Sequence, residues 1–114
     1  MRALVGANLS ETERRAVAEA ASVLKSELPV ARVLLFGSRA RGEGTPDSDI
    51  DLLILTACEV TPRLRRSISD HVFDINVRND VVLRSLVASL QDWREGAASQ
   101  MLIHGEVERD GCEL

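Results

Sequence analysis

Two short apolar runs joined by a polar, turn-rich connection constrain this chain more than any other feature. Val33-Leu34-Leu35-Phe36 leads into Gly37-Ser38, and Leu52-Leu53-Ile54-Leu55 follows the aspartates Asp49 and Asp51. Runs this short, bounded by turn formers, read as buried strands, although periodicity alone leaves buried helix open. On a strand, side chains two apart share a face, so Asp49 and Asp51 point the same way. Two carboxylates on one face repel, and a divalent cation between them relieves the repulsion. Magnesium suits such a place, being a hard ion held by one or two carboxylates together with substrate phosphates.

The turn supplies the other half of a site. Gly37 allows close backbone approach, and Ser38 can cap a short helix or helical turn over residues 38–41, stopped by Gly42. Free backbone N–H groups at such a start are a natural seat for phosphate. The stretch is not a P-loop, because the Gly-Lys-Ser/Thr ending is missing and Lys25 is the only lysine. The competing reading is two strands joined by a surface loop whose Asp and Gly residues merely form turns. Arg39 lies within reach of whatever the turn binds, as a phosphate contact or as an ion-pair partner of Asp47 or Glu43. Thr45-Pro46-Asp47-Ser48 is turn chemistry, which makes Asp47 a turn residue before a metal ligand.

Gly37-Ser38, Gly42 and then Ser48-Asp49-Ile50-Asp51-Leu52 resemble the signature of the DNA polymerase β-like nucleotidyltransferases. The fuller string GSRARGEGTPDSDIDLLI is similar to the minimal nucleotidyltransferase (MNT) branch, often found as the antitoxin beside a HEPN-domain toxin. The resemblance implies an α/β (α+β) fold, a small mixed β-sheet with helices packed on it, in the form of the nucleotidyltransferase palm. It implies that Gly37 and Ser38 hold the triphosphate, with Arg39 and Ser48 counted among the nucleotide-binding residues. Asp49 and Asp51 would coordinate magnesium. A third carboxylate is expected from a neighbouring strand, and Asp74 is the candidate for it. With those positions filled, the active site is expected to be intact: two Mg2+ ions, ATP as donor, and transfer of AMP to a hydroxyl. The resemblance further implies a tyrosine of a HEPN toxin as acceptor and a hetero-oligomer with that toxin. The alternatives are an antitoxin that works by binding alone and a transferase acting on a small molecule such as an antibiotic.

Composition narrows the classes. With 114 residues a single domain is expected, and the resemblance implies that residues 1–114 form one minimal nucleotidyltransferase domain. Phe36, Phe73 and Trp93 are the only aromatics and the net charge is −4, so neither a stacking platform nor a broad attraction to nucleic acid is expected. Cys58 and Cys112 are too few for a metal cluster; they read as a small buried hydrophobe and a tail thiol respectively. The absence of a signal-peptide pattern or a long apolar run makes a cytoplasmic location, away from membranes, the expectation.

The rest of the chain sets out the elements. Ser10-x-x-Glu13 is a capping box opening a helix with Val17, Ala20, Ala21, Leu24 and Leu28 on one stripe. Pro29 ends it, and a strand begins near Val30. Thr61-Pro62 starts a short basic helix through Ile68. His71 to Arg78 alternates, with Phe73, Ile75 and Val77 on one face and Asp74 on the other, predicting a third strand. Asp80 is expected to cap a helix through Leu90. A further helix from Asp92 carries Trp93 as a packing anchor and ends at Gly105, and Val107 is expected in a last short strand.

Overall fold

A computed structural model describes all 114 residues, and its sheet has two unlike faces. Strands β1 (Val30–Phe36), β2 (Ile50–Thr56), β3 (Leu83–Ser89) and β4 (Cys112–Glu113) lie in the order β3-β2-β1-β4. β1 is antiparallel to β2 and β4, and β2 is parallel to β3. Helices α1 (Glu11–Glu27) and α2 (Pro62–Asn79) cover one face, against Val33, Leu35, Ile50, Leu52, Ile54 and Leu83. On the other face, α3 (Leu90–Glu95) and α4 (Leu102–Asp110) help bury Leu34, Leu53 and Leu55 with Trp93 and Val107. The N-terminal end of β2 on this second face carries Asp51 in place of an apolar residue, and no helix crosses it. The expected mixed sheet with packed helices is what forms. No helix is long and apolar enough to cross a membrane.

The first half follows its sequence signals. Ser10 and Glu13 make both bonds of the capping box, and Val17, Ala20, Ala21 and Leu24 are buried. The second half departs from them. Thr61 does cap α2, but the helix runs on to Asn79, and the expected strand at 71–78 lies inside it. Leu64, Ile68, Val72 and Ile75 recur three and four apart and pack into the core, whereas Phe73 and Val77, the other members of the alternating set, are exposed. The 3.6 period prevails because it buries Ile68, Val72 and Ile75 and partly buries Leu64 against α1 and the sheet, each fully buried side chain contributing about 1.5–3 kcal/mol. Asp80 takes the left-handed conformation and closes α2, so the expected helix at 81–90 is β3 instead. The order of elements is as expected, with the third strand displaced by about ten residues.

The C-terminal region also differs. Trp93 is the expected anchor, buried, with its indole N–H on Glu108 at 3.0 Å and its ring against His104. Gly105 lies within α4 and does not end it, and Val107 is helical; the last strand is Cys112–Glu113. The two cysteines exchange their expected places, Cys58 exposed and Cys112 buried.

One buried charge ties the loop between β1 and β2 to α1. Arg39 is 2% exposed. Its guanidinium donates to both Glu13 carboxylate oxygens at 2.9 and 3.1 Å, and to the backbone carbonyls of Asn8, Pro46 and Ser48. Its Nε is buried without a partner. Asn8 adds two side-chain bonds to the carbonyls of Glu43 and Gly44. Arg39 is thus a strut and not the phosphate contact expected, because the turn after Gly37 aims its side chain back into the domain. Its ionic partner is Glu13, not Asp47 or Glu43.

Two stability predictions follow from these contacts. Glu13→Gln leaves the Arg39 charge buried without its carboxylate and should cost roughly 2–4 kcal/mol, somewhat below the cost of breaking a wholly buried pair. The Arg39 hydrogen bond, above all, holds the Glu13 carboxyl below its ordinary value of 4.5. A lowered folded-state value means that this stabilisation is full above the ordinary carboxylate range and is lost as pH falls through the lowered value. Urea titrations across that acid range should therefore lose less stability in Glu13→Gln than in the parent. A methyl group on Gly105 meets nothing within 4 Å, so Gly105→Ala should raise stability by about 0.5–1 kcal/mol through helix propensity, read as an increase in Tm.

Candidate active site

Asp49 immediately precedes β2, and Asp51 is its second residue. Asp51 pairs across the sheet with Phe36 of β1 on one side and with Arg84 of β3 on the other. Gly37, directly after Phe36, has φ +82°, and a Cβ built on it would lie 2.7 Å from Asp51 Oδ2. The carboxylate therefore sits over the glycine, in space that any other residue would fill. Gly-Ser turn and Asp-x-Asp strand meet as the sequence predicts.

The turn itself is a helical turn without a helix. The Ala40 N–H reaches Gly37 O at 3.1 Å, and the Glu43 N–H reaches Ser38 O at 2.9 Å. The backbone N–H groups of Ser38 and Arg39 donate to no protein acceptor. Two unpaired donors beside a glycine form the kind of concavity that takes an anion. Ser38 Oγ and Ser48 Oγ flank Gly44, where a Cβ would lie 2.9 and 3.2 Å from them. Ser48 Oγ also accepts the Thr45 N–H at 2.9 Å, which fixes the turn leading into β2. Gly37, Ser38, Ser48, Asp49 and Asp51 thus stand together, and the Arg39 backbone joins them while its side chain does not.

Asp74 does not join them. It lies on α2, 67% exposed at its side chain, and pairs with Arg78 one turn on, which in turn reaches Glu19 of α1. A helix on the opposite face of the sheet cannot present it to Asp51. The residue that does stand beside Asp51 on the neighbouring strand is Arg84. Its Nη2 and Nε are each 3.1 Å from Asp51 Oδ1, and its Nη1 is 3.2 Å from Asp49 Oδ2. The register that brings it there is held by Asn76 of α2. The Asn76 side chain accepts from Leu83 N–H at 2.9 Å and donates to Leu83 O at 3.1 Å. Sequence reasoning missed Arg84 because it placed the third strand too early. The helical recurrence of Leu64, Ile68, Val72 and Ile75 was the signal that would have found it.

The donor set fits one hard cation. Asp49 and Asp51 are two carboxylates on one face, with Asp51 20% exposed and Asp49 43%, open to substrate oxygens for the remaining positions. No group of three His, Cys, Asp or Glu side chains gathers anywhere in the chain to hold a metal. The expectation of two ions rested on Asp74 and loses that support. Beside the carboxylates a cleft of about 340 Å³ opens between Phe36, Asp51, Arg84, Ser85, Leu86 and Ile103. A larger depression of about 620 Å³ lies between α1 and the C-terminal strand, lined by Lys25 and Glu113 but by no carboxylate pair. The chemistry points to the smaller one.

Known proteins share this fold. A toxin–antitoxin crystal structure with AMP-PNP is similar in fold, with a TM-score of 0.57 and 17% identity over 87% of this chain and 69% of that one. A double aspartate-to-glutamate variant of the MntA–HepT toxin–antitoxin matches with a TM-score of 0.58 and 18% identity, over 84% of this chain and 69% of that one. A Methanocaldococcus jannaschii protein assigned as a protein adenylyltransferase is 44% identical over 45 residues. That match spans 38% of this chain and 45% of the relative, so less than half of the relative's length is represented. The model of the nucleotidyltransferase domain family matches residues 17–92, from α1 through the start of α3. This covers well over half of the chain, which belongs to the nucleotidyltransferase domain family.

Proposed function

We propose that this chain is a magnesium-dependent transferase that moves AMP from ATP to a hydroxyl group, and that it acts as an antitoxin by modifying a tyrosine of a cognate HEPN-type toxin. The observation that carries the reading is the seating of the Asp49 and Asp51 carboxylates against the Gly37–Ser38 turn, with its unpaired N–H groups. Similarity to a toxin–antitoxin structure with AMP-PNP supports an adenine nucleotide as donor, and similarity to the MntA–HepT pair supports a toxin as partner.

The Ser38 and Arg39 N–H groups, with the Ser38 and Ser48 hydroxyls, would hold the triphosphate. Asp49 and Asp51 would hold one magnesium ion, which when bound supplies neutralisation of charge on the phosphate oxygens. The acceptor oxygen forms its bond to the α-phosphorus as the bond from that phosphorus to the bridging oxygen breaks, and pyrophosphate leaves. With Asp74 elsewhere, Asp49 and Asp51 are the carboxylates available to take the hydroxyl proton. The cleft walled by Phe36, Leu86 and Ile103 opens on Asp51. Three apolar walls with a polar side made by Asp51, Arg84 and Ser85 suit a flat phenol, whose ring is apolar and whose hydroxyl is polar.

A second reading is an antitoxin that neutralises by binding alone. The observation in its favour is Arg84, which stands where a third carboxylate is expected and leaves the site without one. Incubation with α-phosphate-labelled ATP, magnesium and the partner toxin separates the two. Asp49→Asn and Asp51→Asn should each lower labelling of the toxin by roughly 100-fold or more, while Asp74→Asn should leave it within about twofold, as expected for an exposed surface substitution. Full neutralisation of the toxin without label, in parent and variants alike, would establish the binder instead.

A further inference from the structure

The Arg84 guanidinium spans both carboxylates and is the only cationic side chain touching either of them. It therefore occupies the position in which a cation shared by Asp49 and Asp51 would sit. Its side chain is 66% exposed, and ion pairs this exposed are weak because solvent screens them. The guanidinium can thus leave the carboxylates at small cost. What it does in place is cancel one of their two charges. A free divalent ion then meets a site with one net negative charge instead of two. A metal–nucleotide complex meets the same site differently, because its phosphates offer Arg84 new oxygens. Arginine forms charge-assisted, often bidentate contacts with phosphate as readily as with carboxylate. The other arginines nearby are committed: Arg39 to Glu13, and Arg41 to Glu43 and Glu106.

We propose that Arg84 is a positioning residue that couples metal entry to nucleotide entry. It reserves the Asp49–Asp51 pair against the free ion, then turns to the phosphates when the metal arrives with its nucleotide. This role rests on the nucleotide-binding reading above. It accounts for a basic residue at a strand position where a carboxylate is expected. It also accounts for the firm placing of that residue by the Asn76 clamp while its own side chain stays largely exposed to solvent.

Electron paramagnetic resonance of Mn2+ tests it without any turnover. The comparison is Mn2+ alone against Mn2+ with the non-hydrolysable AMP-PNP, for the parent chain, Arg84→Gln and Arg84→Lys. Loss of the competing cation should tighten binding of free Mn2+ by about tenfold in Arg84→Gln, the size expected for removing a unit charge from the edge of such a site. The same substitution should weaken binding of the Mn2+–AMP-PNP complex by a similar factor. Arg84→Lys, which keeps the charge, should move both affinities back toward the parent. Unchanged free Mn2+ affinity in Arg84→Gln, with the nucleotide complex still bound, would overturn the role of Arg84 and leave the nucleotide site standing. Failure of the parent to bind Mn2+–AMP-PNP at all would overturn both.

Discussion

The buried Arg39–Glu13 pair is the interaction on which the rest of the structure depends. The connection between β1 and β2 is polar, rich in glycine, and has no core of its own. Left to itself it would be a mobile surface loop. One guanidinium with five hydrogen bonds gathers the two ends of that connection, the N-terminal segment and the first turn of α1. Its Ser48 contact fixes the approach to β2, and hence where Asp49 begins. The same Glu13 completes the capping box of α1, so loop and helix are locked by one carboxylate. A buried charge pair is a weak source of net stability, and what this one contributes is the position of the loop against α1.

With the loop held, the chemistry is concentrated at one end of one sheet face. The seat of the Asp51 carboxylate and the emptiness above Gly37 are the same fact viewed from two sides: the glycine makes room for Asp51, and Asp51 makes glycine obligatory. Arg84 relieves the repulsion between the Asp49 and Asp51 carboxylates from the neighbouring strand. The parallel β2–β3 pairing, set by α2 and the Asn76 clamp, is what delivers an arginine rather than the expected carboxylate to that point. The site is consequently a pair of carboxylates with an internal arginine counter-charge.

Much of this was legible in the sequence, and the failures have physical causes. Residues 33–55 announced their strands, their turn and their paired aspartates, because local turn chemistry and apolar runs agree there. The Ser10–Glu13 capping box and the Thr61-Pro62 start were equally plain. The segment 71–78 was not, since Phe73, Ile75 and Val77 alternate like a strand while Ile68, Val72 and Ile75 recur like a helix, and only burial against α1 decides between them. That single ambiguity carried Asp74 into the site and kept Arg84 out of it. Arg39 was misjudged for a different reason. Its proximity in sequence to the phosphate-binding turn says nothing about the direction of its side chain, and its partner Glu13 lies 26 residues away.

On the proposed function, the nucleotide and its metal bind at the Gly37–Ser38 turn, Asp49, Asp51 and Arg84, away from Asp74 on α2. Amide resonances of the labelled protein, followed by NMR as Mn2+–AMP-PNP is added in substoichiometric amounts, test this directly. Paramagnetic broadening should be strongest at residues 37–39, 49–52 and 83–85, and weaker at Asp74 and Arg78 on the exposed side of α2. Broadening centred on Asp74 and Arg78, or spread evenly over the surface, would contradict it.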